Sequence, residues 1–249
     1  MADPPARPVK GRRSKVEGGS ARAADRGLHA TPPGPLGGSH ARPDASAKVA
    51  GLTRYVGDLA LPGMLHAALA TSRVASARIR SLDTRAALAV PDVVAVLTAA
   101  DVPGQNSIGA VFGDQPLLVT DRVRMVGDRL ALVAARTPEA AWIAARAVRA
   151  DLEAIPGVHD PVAALDEGSP TVHDGGNLFR TLRVVKGKID SRRSKATVIV
   201  EAEYHVGGQD HAYLEPQGCL AIPEGRDRLT IVASCQCPFY IQHAVAKVL

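Results

Sequence analysis

Residues 122–148, RVRMVGDRLALVAARTPEAAWIAARAV, contain the clearest strand and helix signals in the chain. The first half of this stretch, 122–135, has apolar segments on both sides of Gly127-Asp128, a dipeptide typical of turns and bulges, and therefore predicts two strands. Its second half predicts a helix, because Thr137 can cap the helix and Pro138 suits the first helical position. The alanines of this helix would allow it to pack closely on a sheet.

The predicted helix is amphipathic. At about 100° per residue, Glu139, Arg146, Arg149 and Glu153 lie on one side, whereas apolar residues such as Ile143 lie elsewhere. This pattern places Arg149 and Glu153 on the helix, and it predicts that the apolar side covers a sheet.

The residues before this stretch alternate between strands and a helix. The patterns predict strands over 64–70, 77–82 and 93–97, with a short helix over 85–90 that Pro91 ends. Such alternation is typical of an α/β (α+β) domain. We assign residues 44–160 to one domain of this class.

The first 43 residues differ in composition. They contain eight Lys or Arg and three Asp or Glu, so their own net charge is +5. This equals the net charge of the whole chain. With almost no large apolar side chains, residues 1–43 are predicted to be a disordered basic tail, or an upstream extension from a misassigned start codon. A nucleic-acid arm is the alternative, but the 3% aromatic content disfavours single-strand binding, and no apolar run is long enough to cross a membrane.

A second block follows a connecting segment, residues 161–182, which is rich in Pro, Gly, Asp and Asn. From residue 183 the pattern predicts a strand over 197–204, a hairpin with strands over 220–222 and 229–233, and a helix over 239–249. One hairpin and one helix do not complete a core. We therefore expect residues 183–249 to be the truncated start of a larger domain and to be protease-sensitive.

Cysteine usage gives no metal or disulfide pattern. The chain has three cysteines, Cys219, Cys235 and Cys237, and an odd number does not suggest a disulfide framework. Their spacing matches neither a zinc site nor an iron–sulfur cluster. Reduced thiols in a cytoplasmic protein are the prediction that follows.

His205, His211 and Glu215 are residue types that can bind a metal. On an extended segment the three share one face, but successive members lie about 20 Å and about 13 Å apart. They would need a sharp bend to bind one metal, so no protein metal ligand is predicted.

Three parts of the chain share their order and spacing with one known family. They are residues 48–84, residues 86–148 with PDVVAVLTAADVPGQN, and residues 200–249 with GGQDHAYLEP and SCQCP. Together they resemble the large subunit of the molybdenum hydroxylases, the xanthine dehydrogenase and aldehyde oxidase family. The resemblance implies a hammerhead-type α/β domain followed by the incomplete start of a molybdopterin-binding domain.

The resemblance also implies a reaction and partners. Members of this family oxidise a heterocycle or an aldehyde with oxygen from water, and a molybdenum–molybdopterin cofactor accepts the electrons. The electrons pass through 2Fe-2S clusters to FAD on partner subunits or domains. The implied partners are the remainder of the molybdopterin-binding subunit, an iron–sulfur subunit, an FAD subunit and a small-molecule substrate.

One residue has an implied role at the cofactor. Gln236 matches the glutamine that approaches the molybdenum oxo group in this family; alternatively it is a strand-end glutamine that satisfies local backbone groups. The motif GGQDHAYLEP is expected to be structural, with Gln209, His211 and Glu215 buried at a hydrogen-bonded junction.

The family's glycine-rich cofactor loop and catalytic glutamate are expected beyond these residues. No catalytic residue is therefore assigned, and the chain alone is expected to be inactive. The alternatives are a non-catalytic binding or assembly protein that reuses the hammerhead domain, and a nucleic-acid binder acting through the basic tail.

Overall fold

The computed structural model describes residues 41–109 and 112–249. Most of the predicted basic tail therefore lies outside the described residues. The chain divides into two units, Met1–Thr53 and Arg54–Leu249. In the described part of the first unit, one short helix is present, and all described strands belong to the second unit.

The structure contains helices and strands in mixed order. The helices are α1 (Ala45–Val49), α2 (Arg85–Leu88), α3 (Pro138–Ala147), α4 (Ile189–Arg193) and α5 (Pro238–Val248). The strands are β1 (His66–Thr71), β2 (Ala77–Asp83), β3 (Val93–Leu97), β4 (Arg122–Val123), β5 (Arg129–Ala135), β6 (Arg149–Ala154), β7 (Cys219–Glu224) and β8 (Arg228–Ala233). This mixed α/β content confirms the predicted fold class.

Two antiparallel three-stranded sheets, in the orders β1-β5-β3 and β4-β2-β6, form what we call the two-sheet region, residues 66–154. The two strands predicted around Gly127-Asp128 are both present, but each belongs to a different sheet. Gly127 adopts φ +94°, a conformation that favours glycine, and the Asp128 carboxylate accepts hydrogen bonds from the Arg124 and Met125 amides at 2.6 and 3.2 Å. The turn therefore carries the chain from one sheet to the other.

Helix α3 covers the first sheet through small side chains. Thr137 caps the helix as predicted, since its Oγ1 accepts a hydrogen bond from the Ala140 amide at 3.1 Å. The buried face of the helix consists of Ala140, Ala141, Ala144 and Ala145. It packs against β1 and β5, where Val133 is fully buried, so close approach rather than large side chains makes this core.

The predicted length of this helix was wrong. The helix ends at Ala147, and Arg149 and Glu153 belong to β6, which pairs with β2. The helix ends because Val148 adopts an extended backbone conformation. The residues after it pair with β2 and do not continue the helix. The prediction that Ile143 faces the sheet was also wrong, because its side chain is 58% exposed.

Residues 178–249 form what we call the hairpin region. The predicted hairpin and final helix are confirmed as β7, β8 and α5. The strand predicted over 197–204 is absent, because this segment has no neighbouring strand to pair with among the described residues, and its side chains are exposed. No described residue after Ala145 is buried.

Candidate functional site

The candidate site lies at the junction of β8 and α5. Gln236 follows the end of β8 and directly precedes Cys237, the N-cap residue of α5, and its side chain is exposed. Pro238 occupies the first turn, and no side chain caps the helix. The N-terminal end of a helix carries a positive partial charge, so the Gln236 amide stands beside a backbone that favours anionic or strongly polar groups.

Ser234 fixes the chain just before Gln236. Its amide donates to the Gly218 carbonyl at 3.1 Å, and its Oγ accepts from the Gly218 amide at 3.0 Å. The same hydroxyl lies 3.4 Å from the Pro216 carbonyl oxygen. These bonds extend the hairpin beyond its last ladder pair and join the Gln236 junction to the end of the GGQDHAYLEP motif.

The same end of that motif also contacts Val56, near the start of the second unit. The half-buried Glu215 accepts a hydrogen bond from the Val56 amide at 3.4 Å, and Gly218 lies against the Val56 side chain. The prediction that Gln209 and His211 are buried was wrong, because both are exposed. The His211 ring instead stacks on Tyr213 with centroids 5.4 Å apart.

An apolar groove adjoins the junction. A cavity of about 730 Å³ lies between β8 and α5, and Cys235 and Pro238, on either side of Gln236 in sequence, both line it. Its apolar walls include Leu229, Ile231 and Phe239. Phe239 is 72% exposed, which leaves a large hydrophobic side chain in solvent next to Gln236.

The protein's own metal-binding side chains do not converge in the described residues. No group of three or more His, Cys, Asp or Glu there could hold a metal ion. His205 is 3.0 Å from Glu203, and the three cysteines are free and exposed. No described helix is long and apolar enough to cross a membrane.

Sequence reasoning missed the role of Ser234. The hairpin register could have revealed it, since Cys219 pairs with Ala233 and the next pair outward is Gly218 with Ser234. A serine at that position can bond both backbone groups of its neighbour.

The donor set suits a cofactor that brings its own metal ligands. An exposed neutral amide and an uncapped helix N-terminus can hydrogen-bond polar or anionic groups, but they cannot replace a set of metal-binding side chains. A metal held by an organic cofactor needs orientation from the protein rather than direct ligands.

Comparison with known proteins agrees with this arrangement. The model of the aldehyde oxidase and xanthine dehydrogenase a/b hammerhead domain matches residues 50–167, and that of the molybdopterin cofactor-binding domain matches residues 172–249. The chain belongs to the molybdenum hydroxylase family. The two-sheet region thus lies within the residues matched by the hammerhead domain, and the hairpin region lies within those matched by the cofactor-binding domain.

Relatives from this family are similar to the chain over most of its length. It is 34% identical to the nicotinate dehydrogenase large molybdopterin subunit of Eubacterium barkeri over 214 residues, covering 86% of this chain and 50% of that one. It is 32% identical to the xanthine dehydrogenase molybdenum-binding subunit of Escherichia coli O157:H7 over 219 residues, covering 84% of this chain and 29% of the relative. The chain therefore spans half the length of the first relative and less of the second.

Solved structures show the same similarity. The aldehyde oxidoreductase from Desulfovibrio gigas superposes with a TM-score of 0.73 at 34% identity, covering 77% of this chain and 23% of that one. Quinoline 2-oxidoreductase from Pseudomonas putida 86 gives 0.72 at 28% identity, covering 84% and 28%.

Proposed function

We propose that this chain is part of a molybdenum hydroxylase that oxidises a heterocycle or an aldehyde with oxygen from water. The observation that carries the proposal is the position of Gln236, exposed at the N-terminus of α5 within residues matched by the molybdopterin cofactor-binding domain. The names of its relatives indicate the substrate classes: nicotinate, xanthine, aldehydes and quinoline.

Gln236 would hydrogen-bond the cofactor. The molybdenum–molybdopterin group would supply the acceptor for the two electrons of the oxidation. The side-chain amide of Gln236 can donate a hydrogen bond without adding charge. Such a donor suits an electronegative atom of the cofactor. Ser234 and Gly218 hold the junction in place, so they are positioning residues. No catalytic acid or base is assigned to this chain.

The hairpin region would be covered by the remainder of the molybdopterin-binding subunit. Its exposed apolar side chains are those of a partner-facing surface, among them Val198, Tyr204, Leu214 and Phe239, each more than half exposed. Iron–sulfur and FAD subunits or domains would carry the electrons onward. Three free cysteines support a cytoplasmic location, and we propose that the chain alone does not catalyse.

The role of Gln236 can be tested in the assembled enzyme. Gln236→Ala is expected to lower kcat by about 100-fold or more, the usual cost of losing one preorganised donor, while the molybdenum content stays unchanged. Gln115→Ala, which removes an exposed glutamine from a loop of the hammerhead domain, serves as the matched control. Equal kcat values for the two variants would show that Gln236 is only a strand-end residue.

A second candidate is a non-catalytic binding or assembly protein that reuses the hammerhead domain. It is favoured by one observation, that every buried residue described lies at or before Ala145, inside the hammerhead domain. A purified chain that stays monomeric, metal-free and fully protected through residue 249 would support this alternative.

A further inference from the structure

A separate cavity of about 210 Å³ lies between β4 and the connecting segment, and it shares no lining residue with the groove beside Gln236. The polar side chains among its lining residues are Ser76, Arg122, Arg124, His159 and Thr171. The other lining residues are apolar or glycine, and none is acidic. Because one water occupies about 30 Å³, the cavity has room for a larger polar group.

Two arginines supply the charge of this cavity. Arg122 lies in β4, and Arg124 is the first residue after that strand. Because side chains alternate along an extended chain, both arginines lie on one face. In the part of the chain that the structure describes, neither guanidinium lies within 4.0 Å of a carboxylate. The cavity therefore has two cations without an anionic partner among the described residues.

The nearest strands do not compensate this charge. In the sheet, Arg122 pairs with Arg78 of β2, which in turn pairs with Glu153 of β6. The Glu153 carboxylate lies 2.5 Å from Arg80 and 4.0 Å from Arg78. The one acidic residue in this row is thus engaged by β2, and Arg122 faces another cation.

The hydrogen bonds of the two arginines leave donors free. Arg122 Nη2 donates to the Thr171 carbonyl at 2.5 Å, and Arg124 Nε donates to the Val172 carbonyl at 3.1 Å. These bonds hold the connecting segment as one wall of the cavity. Arg122 Nε is buried and has no hydrogen-bond partner among the described residues, an arrangement that costs stability.

We propose that this cavity binds one small phosphate-like oxyanion between Arg122 and Arg124. The planar guanidinium presents paired N–H groups whose geometry matches a tetrahedral oxyanion. The donors left for such an anion are Nη1 of Arg122 and both Nη atoms of Arg124. Gly157 shapes the opposite wall: a Cβ there would meet the Ser76 Cβ at 3.2 Å and the His159 ring at 3.5 Å.

The test is calorimetric titration of the full chain with inorganic phosphate at constant ionic strength. The wild type is expected to bind saturably with one phosphate per chain. Arg122→Gln and Arg124→Gln should each weaken binding by about tenfold or more, the effect of one lost charge-assisted hydrogen bond. Arg136→Gln, an exposed arginine outside the cavity, should leave binding unchanged.

Two further arms keep the result decisive. Circular dichroism melts identify a variant that fails to fold, and that variant is left out. The phosphate affinities of the wild type and of the other arginine variant then test the proposal. Titration with acetate separates a phosphate-like ligand from a carboxylate, and phosphate is expected to bind more tightly. Absence of saturable binding by the wild type, equal affinities of Arg122→Gln and Arg136→Gln, or tighter binding of acetate would each overturn the proposal.

Discussion

The two-sheet region and the hairpin region contain similar kinds of apolar residues, yet only the first has a core. In the two-sheet region every strand has a hydrogen-bonded neighbour, and alanines on α3 allow the helix to reach the sheet. In the hairpin region, apolar side chains such as Val200, 84% exposed, and Val206, 89% exposed, have no covering layer among the described residues. Apolar content alone does not make a core, since a second layer must be present to bury it.

Hydrogen exchange of the isolated chain should show the largest difference between the two regions. Backbone amides of β5, such as those of Leu132 and Val133, are expected to exchange about a thousandfold more slowly than amides of residues 196–213, which lie in no helix or strand. Mass-spectrometric exchange measures both in one experiment. Comparable protection would mean that the hairpin region is ordered without a partner.

A larger side chain at the α3–sheet contact should destabilise the two-sheet region. Ala144 is fully buried, so Ala144→Leu is expected to lower the free energy of unfolding by about 1–3 kcal/mol through overpacking. Chemical denaturation followed by circular dichroism measures the change. Ile143→Leu, at the exposed neighbouring position, should stay within about 0.5 kcal/mol of the wild type; a reversed order would contradict the assigned helix face.

The two helix N-termini offer a smaller and matched comparison. Thr137 caps α3 through its side chain, whereas Cys237 occupies the N-cap position of α5 without a side-chain bond. Thr137→Ala is expected to cost about 1 kcal/mol of stability, and Cys237→Ala a few tenths at most. Equal effects in thermal melts would argue against the capping assignment.

Local signals explain what the sequence predicted well. The strand over 93–97 was predicted with the observed bounds, and caps and turn residues located α3 and the β7–β8 hairpin. Each of these signals depends on residues only a few positions apart.

The errors came from long-range pairing. Arg149 and Glu153 fit a helical pattern, but they form part of β6 because that segment pairs with β2. The segment 197–204 fits a strand pattern, but no described strand lies beside it. Strand pairing depends on the neighbours that the whole sheet provides. The sequence of one segment does not contain that information.

The candidate site was predictable only in part. The sequence predicted a strand ending at residue 233 and a helix from residue 239, so Gln236 was expected between them, but its interpretation as a cofactor residue came from the family resemblance. The link from Ser234 to Gly218 depends on hairpin register, and the link from Glu215 to Val56 joins residues 159 positions apart. Neither follows from local pattern.

The most direct test of the proposed function is the molybdenum content of the chain, measured by elemental analysis after purification alone and after co-expression with the remainder of the molybdopterin-binding subunit. We expect no molybdenum in the chain alone and about one atom per complex, because Gln236 orients a cofactor that other residues must help to hold. A complex without molybdenum, or stoichiometric molybdenum in the chain alone, would contradict the proposed role of this chain.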